Sequence, residues 1–254
     1  MIFAAVLLLT LAITPPLLPH GINGLAGAPL TAPSVEHVFG TDEQGYEVLT
    51  RVAYGMRTSI VAALVVIASG VVIGGLIGLV AGIAGGWVDA LLMRLTDLFL
   101  ALPGPLLVLA VVAALGSSLQ NTLIGLAVVW WPWYARIVRG QVRATAARPH
   151  VEAARLAGLG RPRVALRHIL PGAFSPIIVT ASLDVGNVIL LLASLSFLGL
   201  GSPDTTAELG AMTARGLTYL FSGWWVAVIP AAAVFVLAFV GNFVGDAVRD
   251  MVES

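Results

Sequence analysis

From Thr58 to Trp87 the chain carries no charged side chain. A bilayer core about 30 Å thick is crossed by about 20 apolar residues of helix, so this run is long enough to span one. The rest of the chain agrees with that environment. Of its 254 residues, 59% are hydrophobic and 10% are charged, whereas a soluble domain carries roughly 25% Asp, Glu, Lys and Arg. Too little charge is available to cover a globule in water, so lipid must cover much of the surface. The fold class expected is all-α integral membrane.

Six apolar segments are expected to span, at about 2–18, 58–84, 97–115, 122–137, 173–199 and 222–244, within a single transmembrane domain over 1–254. The first, Ile2–Leu18, is read as a retained helix. It has no basic flank before it, and Pro15-Pro16-Leu17-Leu18 is a poor cleavage site for a signal peptide. Residues 19–57, polar and rich in Gly and Pro, are expected to form an extracytoplasmic loop. Gly70, Gly74, Gly75 and Gly78 lie at the small-residue spacing that lets helices approach closely in lipid. Between Arg94 and Arg136 Asp97 is the one charged residue in 41, too long a stretch for one span. The polar break Gly116–Thr122 divides it, and Pro103 and Pro105 are expected to kink the third helix or mark its entry. Trp224 and Trp225 are placed like an interfacial belt, and Trp130, Trp131, Trp133 and Tyr134 like an aromatic anchor.

Charge is segregated. The connection between the fourth and fifth spans holds Arg136, Arg139, Arg143, Arg148, Arg155, Arg161, Arg163 and Arg167 against Glu152 alone, and Arg94 and Arg249 fall on the same side. The opposite side carries Arg51, Arg57 and Arg215 with six acids, Glu36, Asp42, Glu43, Glu47, Asp204 and Glu208. The positive-inside rule makes the arginine-rich side cytoplasmic, and six spans then place both termini there.

Several chemistries are excluded by residue type. The chain has no Cys, and all thirteen of its basic Lys/Arg side chains are Arg. A phosphate-binding GxxxxGK[ST] loop needs its Lys, as does a Schiff-base enzyme, so any ATP hydrolysis belongs on another chain. No GxSxG or paired-carboxylate arrangement suggests an enzyme. His20, His37, His150 and His168 lack the spacing of a metal site and read as surface histidines. Asp89, Arg94 and Asp97 read as a local charge cluster at the inner interface rather than a proton relay.

The segment 138–172 is too structured for a plain loop. Pro149 suits a first helical turn, and Glu152 follows where negative charge favours the helix dipole. Ala153, Ala154 and Ala157 give one side a low profile, and Gly158 and Gly160 stop the helix. Pro162 can start a second short helix, which Pro171 ends before the membrane. Two short helices at a glycine elbow suit docking to a partner. On composition alone, the favoured reading is that the arginines only set orientation and touch lipid headgroups.

Glu152-Ala153-Ala154, three residues, Gly158, and then Ile169-Leu170-Pro171 resemble the EAA signature of ABC importer permeases. His168 stands where that family usually has an Ile. Gly40-Thr41-Asp42 through Gly45, Gly85–Asp89, Tyr134–Val142 and Ala193–Gly201 are similar to the dipeptide, oligopeptide and nickel permeases, over roughly Gly40 to Asp250, and specifically to the second of the two permeases such importers pair. Tyr46-Glu47 in place of Arg-Asp, Leu192 in place of a frequent Glu, and the lack of Trp before Gly210 are departures. The resemblance implies a type I ABC importer permease fold. It also implies coupling to an ATPase subunit through Glu152, Ala153, Ala154, Arg155, Gly158 and Gly160. The partners it implies are a second homologous permease, two cytoplasmic ATPase subunits or domains holding ATP-Mg, and an extracytoplasmic substrate-binding protein, all at a bacterial cytoplasmic membrane. No nucleic acid is implied, and this chain needs no cofactor of its own. The expected cargo is short peptides, with nickel, glutathione and haem as alternatives. Asp184, about 16 Å into the fifth span at 1.5 Å per residue, could line the translocation path or bond a neighbouring helix. The second is favoured, because the family pattern carries an acid there without an assigned ligand. An ion-coupled carrier would need more buried charge and usually an internal repeat.

Overall fold

A computed structural model describes residues 21–201 and 206–253. The expected span 2–18, His20 and Asp204 lie outside them. Nine α-helices follow one another among the described residues: α1 Val48–Ala84, α2 Gly86–Leu100, α3 Gly104–Leu115, α4 Leu119–Ala146, α5 Pro149–Leu156, α6 Arg161–Val164, α7 Leu170–Leu195, α8 Leu209–Gly216 and α9 Trp224–Glu253. Wide π-type turns at Ala165–Ile169 and Ser196–Leu200 flank α7. By length and composition, Val48–Ala84, Phe174–Leu200 and Trp224–Val252 can each cross a membrane, and Gly86–Leu100 with Gly104–Leu115 forms a fourth, bent candidate.

The bundle is built on α1 against α4, and the contact is made by absent side chains. A Cβ on Gly74 would fall 2.2 Å from the Trp131 carbonyl oxygen, and one on Gly78 would fall 2.4 Å from that of Ala135. Gly70 and Gly82 face Tyr134 and Val142 in the same stripe. Gly75 differs from the sequence expectation, since nothing lies within 4 Å of its Cβ position. A stripe at every fourth residue keeps one face, and Gly75 is rotated off it. The pair α7–α9 repeats the device, with Gly186 under Asn242 and Ala238, and Gly245 against the Ser182 carbonyl.

Helix boundaries depart from the expected spans for local reasons. α1 starts ten residues before 58, inside the expected loop 19–57. Its first turns hold Arg51, which is buried beside Asp42 at 3.4 Å and beneath the Tyr46 ring, so the charge is met without open water. The helix expected at 97–115, with a kink or entry at Pro103 and Pro105, is two helices bent by 84° at Ala101–Pro103. Pro103 caps the second helix from outside the helical region, with ψ 122°, and Pro105 sits in that helix's first turn, where its missing N–H is tolerated. α4 begins at Leu119, where the Ser118 hydroxyl oxygen accepts from the Asn121 N–H at 3.1 Å. It runs to Ala146, so Arg136, Arg139 and Arg143 sit on a helix instead of in a connector.

The loop before α1 is a folded cap. Gly40 has φ +73°, and a Cβ there would meet the Thr31 carbonyl at 2.6 Å and the Trp225 ring nitrogen at 2.7 Å. Trp225 is buried and donates from Nε1 to the Thr41 carbonyl at 3.0 Å; it is a clasp, not an interfacial anchor. Asp42 Oδ1 accepts from the N–H groups of Gln44 and Tyr46, both at 2.9 Å. Glu43 reaches Arg215 of α8 at 3.5 Å. His37 is not a surface histidine, because its Nδ1 lies 2.6 Å from Glu47 Oε2 and both side chains are largely buried. Glu208 is buried too, accepting from the Ser196 hydroxyl across the second π-type turn.

Candidate functional site

At the arginine-rich end, α5 begins after Arg148, whose extended backbone (φ −74°, ψ 145°) admits Pro149 in the first turn. It ends in a glycine-dependent cap. Gly158 has φ +81°, its N–H bonds the Arg155 carbonyl at 3.0 Å, and the Leu159 N–H reaches back to that of Ala154 at 3.2 Å. This pair of bonds satisfies carbonyls that a helix end otherwise leaves open. Gly160 contributes no such geometry; a Cβ there would touch nothing closer than Pro162 Cδ at 3.9 Å. The elbow therefore turns on Gly158.

The helix has two unlike faces. Val151 and Ala154 are buried with Val138 and Val142 of α4, Val164, Ile169 and Ile177, with Leu159 packed alongside. Glu152, Ala153, Arg155, Leu156 and Ala157 are exposed, Leu156 at 84%. Ala154 thus faces inward, contrary to the expected low-profile alanine surface, because it lies three residues from Val151 on the same helix face. The Glu152 carboxylate pairs with nothing among the described residues. A recess of about 430 Å³ separates the end of α1, at Ile83 and Ala84, from Arg155, Leu159, Val164 and Ile169.

No second free short helix follows. α6 passes through the π-type turn Ala165–Ile169 directly into α7. Pro171 sits in the first turn of α7, where a missing N–H is tolerated, instead of ending a helix. The elbow is thereby joined to a long apolar helix with no flexible link.

Nearby charge is paired across helices. Asp89 of α2 takes Arg139 Nε at 2.5 Å and Nη2 at 2.6 Å, with Arg143 at 3.5 Å. Asp97 takes Arg136 at 2.6 Å. Arg94 joins neither pair among the described residues, so the expected Asp89–Arg94–Asp97 cluster is replaced by two bridges to α4. Asp89 is nearly buried and Arg139 partly so. Asp89→Ala is expected to lower stability by about 2 kcal/mol, less than the loss at a fully buried pair. The exchange Asp89→Arg with Arg139→Asp should recover part of it in thermal unfolding of the purified chain.

Asp184 is 8% exposed on α7, and its Oδ2 accepts from Tyr134 Oη at 2.9 Å and Trp130 Nε1 at 3.1 Å. Three of the four residues expected as an aromatic anchor are thereby committed inside: Tyr134 is fully buried, Trp130 binds Asp184, and Trp131 is buried with its ring 5.2 Å from Phe99. Only Trp133 of that set is exposed. Trp130 and Tyr134 are four residues apart on one face of α4, a spacing readable in the sequence. Among the described residues no cluster of three His, Asp or Glu could hold a metal ion, and the exposed His150 and half-exposed His168 stand apart.

Residues 74–254 match the family model described as binding-protein-dependent transport system inner membrane component. The chain is 40% identical over 253 residues to the probable D,D-dipeptide transport system permease protein of Escherichia coli, covering 99% of this chain and 85% of that one. It is 38% identical to a dipeptide transport system permease protein of Alkalihalophilus pseudofirmus, over 88% of this chain and 74% of that one. A glutathione transport system permease protein of Pectobacterium atrosepticum is 37% identical over 87% and 73% respectively. In fold it is similar to a chain of the MetNI methionine ABC transporter solved in an inward-facing conformation, with TM-score 0.64 and 18% identity over 80% of this chain and 96% of that one. The elbow, the glycine-packed bundle and these matches agree: the chain belongs to the binding-protein-dependent transport system inner membrane components, a family of membrane-spanning transport permeases with the type I ABC importer fold.

Proposed function

We propose that the chain is the channel-forming permease subunit of an ATP-driven importer that translocates short peptides delivered by an extracytoplasmic binding protein. The observation that carries this reading is α5, a glycine-capped helix whose inner face is locked to the bundle core while Glu152, Arg155 and Leu156 stand unpacked. Such a face suits a groove on a cytoplasmic ATPase subunit, with apolar Leu156 as the anchor and flanking charge fixing orientation. ATP-Mg is held on that partner, and two such subunits or domains act with a second homologous permease. Peptide cargo is supported by relatives named for dipeptide, D,D-dipeptide and glutathione transport. The complete bundle has six spans with both termini cytoplasmic, an arrangement supported by the clustering of arginine at the elbow end.

The native absence of Cys allows a direct test of sidedness. Glu152→Cys should react with a membrane-impermeant maleimide in inside-out vesicles and stay unmodified in intact cells or spheroplasts. Labelling from the outer side would overturn the assignment. Purification under mild detergent should bring down an ATPase subunit, and uptake should follow ATP instead of a proton gradient. Uptake driven by the gradient alone would favour an ion-coupled carrier.

A further inference from the structure

Asp184 has more acceptor capacity than the fold uses. Both neutral donors, Tyr134 and Trp130, bond Oδ2, and Oδ1 accepts no hydrogen bond among the described residues. No arginine or histidine lies within 4 Å of the carboxylate among those residues. Asp184 also lines a recess of about 360 Å³ with Val129, Trp130, Trp133 and Asn187. Asn187, one turn along the same helix face, is exposed, as is Trp133 at 50%.

Lipid is the wrong neighbour for such a surface. A carboxylate and a free amide within an apolar span are costly against hydrocarbon and belong on a protein- or water-lined face. The recess offers an anionic oxygen, an amide and two indole rings, all of which favour a cation: the oxygens by charge-assisted hydrogen bonds, the rings through their π faces. An ammonium group carries three donors and one positive charge and can meet all of them.

We infer that this recess is a way station for the ammonium group of the cargo, with Asp184 Oδ1 as counter-ion and Trp133 as the stacking wall. The cargo assignment rests on the peptide-import reading; the ammonium site itself does not.

The test uses the assembled importer in lipid nanodiscs and two small probes, cationic glycinamide and neutral N-acetylglycinamide. Glycinamide should change indole fluorescence saturably, and Trp133→Phe should remove that change. Asp184→Asn preserves an acceptor for Tyr134 and Trp130 while removing the charge. It should raise the half-saturation concentration about tenfold or more, as expected when a charge-assisted bond becomes a neutral one, and Asp184→Glu should restore most of the affinity. N-acetylglycinamide should give no saturable change. An equal response to the neutral probe, or an unchanged half-saturation in Asp184→Asn, would overturn the site. So would Asp184→Asn releasing the second permease, since the carboxylate would then be an intersubunit contact. Uptake of labelled alanyl-alanine by the wild-type importer is scored separately. Glycinamide binding without dipeptide uptake removes the peptide-import reading and leaves the site, and uptake without glycinamide binding does the reverse.

Discussion

Gly74→Leu should prevent the purified chain from reaching its native packing, whereas Gly75→Leu, one residue along, should leave it nearly unchanged. At Gly74 an added Cβ would meet the Trp131 carbonyl oxygen at 2.2 Å, the Ala135 nitrogen at 2.8 Å and Tyr134 Cβ at 2.8 Å. Two of those atoms are backbone, so no rotamer change makes room, and α1 must lift away from α4. In lipid this contact depends on close backbone approach, since apolar tails compete equally for side-chain surface. Overpacking by a few methylenes already costs about 1–3 kcal/mol in cores that can adjust. A leucine driven into a helix backbone should exceed that and approach the whole stability of a small domain, about 5–15 kcal/mol. Gly75 has nothing within 4 Å of its Cβ position, so leucine there should shift stability by about 0.5 kcal/mol or less. Thermal unfolding and monodisperse yield in mild detergent measure both. Equal behaviour of the two variants would show that α1 and α4 do not meet along the Gly70–Gly82 stripe.

The contrast between those neighbouring glycines marks what the sequence could and could not convey. Composition and charge-free runs disclosed the membrane class, and the arginine-rich elbow and its glycine were legible because helix caps are local chemistry. The face a glycine occupies depends on the partner helix, so spacing alone assigns Gly75 to a stripe it does not join and misses Gly82. Long-range pairing was hidden for the same reason. Asp89 with Arg139 and Asp184 with Tyr134 each bring together residues 50 apart in the chain. In an apolar bundle a buried charge needs some partner, which predicts that a partner exists but not which one. Trp225 shows the limit of averages: tryptophans favour membrane interfaces, yet this one is held inside by the Thr41 carbonyl. The 84° bend before Gly104 was legible as a proline signal, though not its size.

Glu152→Lys and Gly158→Asp should each abolish transport-linked ATP hydrolysis while the chain still inserts and packs. They act by different routes. Glu152 is exposed and its carboxylate is unpaired among the described residues, so lysine costs the isolated fold little beyond an unfavourable charge near the positive end of α5, about 0.3–1 kcal/mol. The reversal falls instead on the proposed partner, where like-charge juxtaposition costs several kcal/mol. Gly158 lies at φ +81°, a conformation a β-carbon resists by about 1–2 kcal/mol. Asp is less strained there than a branched residue, so the helix end is distorted without unfolding the bundle. The displaced elbow then no longer presents Leu156, while Val151 and Ala154 remain held by Val138 and Val142. The distinguishing measurement compares three readouts on the reconstituted importer: amount of chain in the membrane, ATPase subunit retained on purification, and ATP hydrolysis stimulated by the loaded binding protein. Glu152→Lys should lose the second and third and keep the first. Gly158→Asp should keep the first and lose the third, with partial loss of the second. Gly160→Ala is the control, because a Cβ there meets only Pro162 Cδ at 3.9 Å, and it should retain all three. Full stimulated hydrolysis in both variants would mean that force enters the bundle elsewhere than through α5.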